Sequence, residues 1–342
     1  MAKANTAAKY KRPHKLKYGK WGIIFILPFF ITYAVFQLYP LIMTFYKSFF
    51  EEYMDMLDMV GPNFVGFENY QTIFADGTIQ KFLGNTMIIW IVGFIPQIFL
   101  SILFAAWFTD LRLKLKGTGI YKVILYLPNI LMASSVAVLF YTLFGNQGPV
   151  NDALAFLTGK PQGTTVFAFF DSVAGTRGIA AFINYLMWTG NTTILLMAGI
   201  MGVDTALYEA ASIDGANSRQ LFWKITIPSL KPILLYVLIT SLIGGIQLFD
   251  VPQLLTMGKG SPNQTTTTVM MYLNDNISVS KNYGKAGAVS VILFILAAIL
   301  SFLIFKTMQE PSDKPKKRKM KKIAASTEKI AASTENVQKG VQ

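Results

Sequence analysis

Two sets of residues have types and spacings that could do chemistry. The first is polar residues inside otherwise apolar stretches. Asn184, Trp188 and Asn191 recur at i, i+4 and i+7, one face of a helix. Ser241, Gln247 and Asp250 follow in a later stretch, beside Phe249. Amides and a carboxylate suit hydroxyl groups, and an aromatic ring stacks on the apolar face of a sugar. The competing assignment is interhelical glue, with small polar groups bonding neighbouring helices. Trp188 could likewise be core packing. Gln97 and Asn129 each neighbour a proline and could sit at kinks. The second set lies in one polar loop, 204–231, with Glu209, Ala210, Ala211, Asp214, Gly215 and Ala216 at its centre. Small residues there allow close approach of another surface. Nucleophilic and metal chemistry find no support. The chain has no Cys, and its one His, His14, lies in a basic tail. It also lacks a G-x-x-x-x-G-K-[ST] run, so no nucleotide site is expected in this chain.

The surrounding elements must hold these residues in a membrane. Of 342 residues, 53% are hydrophobic and 14% charged, where a soluble domain has roughly a quarter charged. The net charge of +13 resides in the tails: seven basic residues in 1–20, and ten basic against four acidic in 306–342. The segment 21–305 balances 14 basic with 14 acidic residues. A nucleic-acid binder spreads basic residues over a folded face, so this distribution excludes that class. Six stretches without charge are candidate spans: 21–46, 82–109, 123–151, 178–203, 232–249 and 286–305. The first is too long for a signal-peptide core and no cleavage motif follows, so it reads as a retained span. The fifth is short, and either extends past Asp250 or lies deeper in protein. The expected class is all-α, a six-span polytopic membrane protein with both basic tails on the cytoplasmic side. Three units follow: the tail 1–20, the transmembrane unit 21–306, and the tail 307–342. The second tail holds a doubled Lys-Ile-Ala-Ala-Ser-Thr-Glu at 322–335, read as solvated low-complexity sequence that holds the inner face to anionic membrane lipid.

The loop 204–231 reads as helix, turn, helix. Asp204 can cap the first helix, Asp214-Gly215 is a turn dipeptide, and Asn217 or Ser218 can cap the second. Leu221, Phe222 and Ile225 give the second helix an apolar stripe, and Pro228 should break it. By pattern alone this hairpin could merely connect two spans.

The residue types go further. Glu209-Ala-Ala211, Gly215 four residues on, Ile225 ten beyond it, and Ile227-Pro228 resemble the EAA loop of bacterial ABC importer permeases. That pattern is E-A-A, three residues, G, nine residues, I-x-L-P, and Ile227 replaces its usual Leu. Phe64-Val-Gly66-Phe-Glu-Asn69-Tyr70 resembles an F-x-G-x-x-N-Y segment of sugar-type permeases. Tyr126-Leu-Pro128 is similar to the start of their third span. The run Leu254 to Pro262 is similar to their L-L-T-x-G-G-P segment, with two extra residues. The resemblance covers about 20–306 and points to the first permease of a maltose-type or multiple-sugar pair.

The resemblance implies that the loop seats its first helix in a cleft of a partner ATPase subunit dimer. ATP and Mg would be bound there, with no cofactor in this chain. It also implies a second homologous permease, and an extracytoplasmic solute-binding protein that delivers a sugar. Glu209, Ala210, Ala211, Asp214, Gly215 and Ala216 would carry the ATPase contact. Spans four and five, with Asn184, Trp188, Asn191, Ser241, Gln247 and Asp250, would line the sugar path. The localisation implied is the bacterial cytoplasmic membrane. A secondary transporter driven by an ion gradient is the alternative, but it predicts internal repeats and acids within the spans. A non-transporting scaffold would not need such a loop.

Overall fold

The structure, a computed structural model, describes residues 19–110 and 115–308. The doubled repeat, most of both tails, and Arg112 and Lys114 lie outside them. The elements alternate between two ends of a helical bundle. One end carries the loop after residue 201 (the loop end); the other carries a β-hairpin (the hairpin end).

The first apolar rod is α1 (Gly19–Tyr33), a π-helical turn (Ala34–Leu38) and α2 (Tyr39–Lys47). Pro40 explains the turn. A proline ring clashes with the carbonyl four residues back, here Phe36, and widening to π geometry accommodates it. The chain then makes two antiparallel strands, β1 (Phe50–Asp55) and β2 (Asp58–Phe64), so the fold is not purely helical as expected. The F-x-G-x-x-N-Y residues lock this corner. Gly66 takes a left-handed φ of 59°. Asn69 Nδ2 donates to the carbonyls of Ser48 (3.0 Å) and Phe50 (2.9 Å), and Tyr70 Oη bonds Ser48 Oγ (2.7 Å).

After α3 (Glu68–Ala75), the long α4 (Thr78–Thr109) runs back to the loop end. The third apolar stretch is not one straight helix. α5 (Thr118–Ile130) and α6 (Ala133–Phe144) are broken at Leu131 and Met132, both extended, and the pair bends by 95°. α7 (Pro149–Leu157) follows, then α8 (Val173–Met201). In the loop stand α9 (Thr205–Ile213), α10 (Ser218–Leu221), a second π-helical turn (Phe222–Thr226) and α11 (Ile227–Ser229). α12 (Lys231–Ile246) and α13 (Asp250–Leu255) carry the chain past Asp250 as one 25-residue apolar stretch, kinked at 247–249. α14 (Val269–Ser278) and α15 (Tyr283–Met308) complete the order. Among the described residues, four helical stretches are long and apolar enough alone to cross a membrane, or up to six if each bent pair is one span.

The dominant packing pair is α4 with α8. Gln97, inside α4 next to Pro96, donates to Thr192 Oγ1 (2.9 Å), and Ser101 Oγ donates to the Thr189 carbonyl (3.1 Å). Backbone approaches are equally close. A methyl on Gly93 would fall 2.8 Å from the Ala181 carbonyl oxygen, and one on Gly190 would overlap the backbone at Leu125 and Tyr126. Such small-residue contacts let helices pack without a hydrophobic drive in lipid. Gly190→Val must push α5 off α8, with no flexible side chain to yield. We expect a loss of roughly 3 kcal/mol, seen as aggregation of the detergent-extracted chain on gel filtration.

Candidate functional site

The loop at 204–230 folds as its capping residues dictate. Asp204 accepts from the Ala206 N–H at 2.9 Å and starts α9. Gly215 ends it with a φ of 79°, the left-handed conformation that a side chain would strain. The Ala216 N–H closes the turn onto the Ala211 carbonyl at 2.9 Å. Asn217 and Gln220 then form a reciprocal capping box, both bonds 2.9 Å, which starts α10. Pro228 does not break the second helix, contrary to expectation. It follows the π-helical turn by the same offset as Pro40 in the first rod, and the wider turn accepts the ring where an α-helix would clash. The helical path therefore continues to Leu230 before α12.

The side chains sort into two faces. Tyr208 and Ala211 turn inward with Ala216, while Glu209, Ala210, Asp214 and Gly215 are exposed. Leu221, Thr226 and Leu230 are buried and root the loop in the bundle. Sequence reasoning missed the exposed apolar residues of this face. Ile213 is 86% exposed, beside Asp214-Gly215, and Leu207 and Trp223 are also exposed. Large apolar side chains held in solvent within a polar loop mark a contact surface. Behind them is a cleft of about 460 Å³, bounded by Ala106 of α4, Met201 of α8, Tyr208, Glu209 and Phe222.

The polar residues of the later spans are placed unequally. Asn184 and Asn191 are half-buried on α8, with Trp188 48% exposed between them. Gln247 and Asp250 are exposed at the α12–α13 kink. They flank Leu248 and Val251, which pack in one cluster with Ile183 of α8. Ser241 is different. Its Oγ accepts the Trp90 indole N–H at 3.1 Å, across the α4–α12 contact. That bond ties α4 to α12.

A second polar constellation went unread in the sequence. At the hairpin end, Arg177 donates through Nε to the Thr265 carbonyl (2.8 Å) and through a terminal nitrogen to Asn85 Oδ1 (2.6 Å). Asn85 Nδ2 donates in turn to the carbonyls of Gln264 (2.9 Å) and Thr267 (3.0 Å). One cluster thus ties α4, α8 and the segment after α13. The only signal was a lone Arg opening an apolar helix. Arg177→Met is expected to speed amide hydrogen exchange at 264–269 about tenfold, the worth of one charge-assisted bond.

Comparison with known proteins fits this geometry. Residues 97–314 match the family described as binding-protein-dependent transport system inner membrane component. The chain is 31% identical over 299 residues to the lactose transport system permease protein of Rhizobium radiobacter, covering 86% of this chain and 96% of that one. It is 30% identical to the multiple sugar-binding transport system permease protein of Streptococcus mutans, covering 84% and 94%. It is also 30% identical to the trehalose/maltose transport system permease protein of Thermococcus litoralis, covering 85% and 94%. In fold it is similar to a chain of a bacterial ABC transporter involved in import of the acidic polysaccharide alginate. The TM-score is 0.72 at 22% identity, covering 86% and 97%. With several apolar helices, this is a multi-pass membrane protein. The chain belongs to the family of binding-protein-dependent transport system inner membrane components.

Proposed function

We propose that this chain is a permease subunit of an ATP-driven ABC importer, forming a sugar path with a second homologous permease. The exposed α9 surface at the loop end carries this reading, with Glu209, Ala210, Ile213, Asp214 and Gly215 free to meet a partner. Relatives named for lactose, multiple sugars and trehalose/maltose support an oligosaccharide as the substrate. Each bent pair then counts as one span, giving six. Both termini lie in the cytoplasm, and the loop 204–231 faces the same side. The basic charge of the tail 307–342 helps hold the inner face to anionic lipid, each basic residue near the surface contributing about 1 kcal/mol. The transmembrane unit is 21–306.

In this reading the chain performs no hydrolysis. An ATPase dimer, which binds ATP and Mg, grips α9 more tightly in one permease conformation than in the other, and that difference drives the switch. An extracytoplasmic solute-binding protein delivers the sugar at the hairpin end. Asn184, Trp188, Asn191, Gln247 and Asp250 line the path, with Ser241 behind them in helix packing. The test is affinity purification of the tagged chain from its native membrane. An ATPase subunit should co-purify, and Glu209→Lys should release it. A stable wild-type complex that lacks any ATPase would overturn the reading.

A further inference from the structure

The hydrogen bonds of the loop are mostly local: Asp204 to Ala206, Asn217 with Gln220, and Ser212 Oγ to the Tyr208 carbonyl. One bond is not. Tyr208 Oη and Thr226 Oγ1 lie 3.0 Å apart across 18 residues of chain. Either hydroxyl can donate in this pair, and Thr226 Oγ1 also has the Leu221 carbonyl at 3.4 Å. Tyr208 stands on the inward face of α9, opposite the surface offered to the ATPase. Thr226, buried, is the last residue of the π-helical turn. From there the ladder continues, with the Leu230 N–H on the Thr226 carbonyl (3.0 Å) and the Leu234 N–H on the Leu230 carbonyl (2.8 Å). Leu230 and Ile233 close against Gly199 of α8, where a methyl group would collide with both.

We propose that the Tyr208–Thr226 hydroxyl pair is a strut that carries displacement of α9 into the π-helical turn and so into α12. Both are positioning residues, and the proposal rests on the coupling role of the loop. The reasoning is mechanical. α9 joins α8 through Gly202 and Val203 and joins α10 through the turn at Gly215. A push on its outer face reaches α12 directly only through side-chain contact, and the tyrosine hydroxyl fixes that contact in direction. The π turn is the compliant receiver, since its wider geometry exists to accommodate Pro228 and π segments mark functional sites in helices. The far end of α12 borders the break that holds Gln247 and leads to Asp250 of α13, so α12 runs between the strut and the proposed path.

The absence of Cys in this chain allows a labelling test, with this subunit labelled before it is assembled with its partners into the complete importer. Trp107→Cys on α4 and Ser229→Cys before α12 take spin labels, and their separation is measured with and without ATP plus vanadate. In Tyr208→Phe and Thr226→Val, the ATPase subunit should co-purify at the wild-type ratio. The ratio of ATP-shifted to unshifted populations should fall about five-fold, the effect of losing one neutral hydrogen bond. Thr226→Ser, which keeps the hydroxyl, should retain the shift. If Tyr208→Phe is poorly folded, the Val and Ser variants at 226 decide alone. A full ATP-driven shift in Thr226→Val overturns the strut, and so does loss of the ATPase from that variant, which would make the pair part of docking. A wild-type complex without an ATPase overturns the strut together with the coupling reading, and is distinguished because no variant is needed to see it.

Discussion

Gly215→Asp should abolish ATP-driven uptake, by about a hundredfold or more, while the chain still reaches the membrane in wild-type amounts. Three observations lead to this expectation. A Cβ at 215 meets nothing within 4 Å, so the substitution disturbs no contact inside this chain. The φ of 79° costs any side chain something, but aspartate tolerates the left-handed region better than most residues. What remains is the outer surface, where the new carboxylate stands beside Asp214 and the exposed Ile213. Charge and bulk at the centre of a docking patch cost about 3 kcal/mol, which is a hundredfold in affinity. Uptake by cells, alongside quantitative blotting of membranes, measures both halves of the claim. Gly215→Ala should fall between, since it adds little bulk and no charge.

Trp188→Ala has the second large expected effect. The ring is about half-exposed on the α8 face that also carries Asn184 and Asn191, so it is available to a ligand and its removal leaves no cavity in the core. Truncating an aromatic anchor typically costs about 2 kcal/mol, which is over tenfold in binding. Transport of the oligosaccharide should therefore show a KM raised by about tenfold, with ATPase co-purification unchanged. Ser241→Ala is the control that separates path from packing. Its Oγ holds the Trp90 indole N–H, and a role confined to that packing bond predicts a KM within about twofold. A larger rise for Ser241→Ala than for Trp188→Ala would place the path on the α12 side instead.

How much of this was legible beforehand depended on range. Helix caps are local chemistry, so Asp204, Gly215 and Asn217 could be assigned from the sequence. The long apolar helices were legible from hydropathy. The bend at Leu131 and Met132 was not, because neither residue type signals an extended conformation inside an apolar run. The hairpin at 50–64 was also missed. Its turn residues are Met56 and Leu57 rather than Asn or Gly, and its strands lack clean alternation. Pro228 was read as a helix end because the rule for proline concerns α geometry, and a π turn sidesteps it. Long-range polar pairs were the least legible. Nothing in sequence spacing joins Trp90 to Ser241, Gln97 to Thr192, or Asn85 to Arg177, since only helix packing brings them together.

The central claim is that transport through this chain is powered by a partner ATPase at the loop 204–231. The most direct measurement is oligosaccharide uptake into proteoliposomes holding the complete importer, with ATP enclosed and all ion gradients collapsed by ionophores. Uptake should persist at the wild-type rate under those conditions and disappear in Gly215→Asp. Uptake that stops when the gradients collapse, or that continues without ATP, would contradict it.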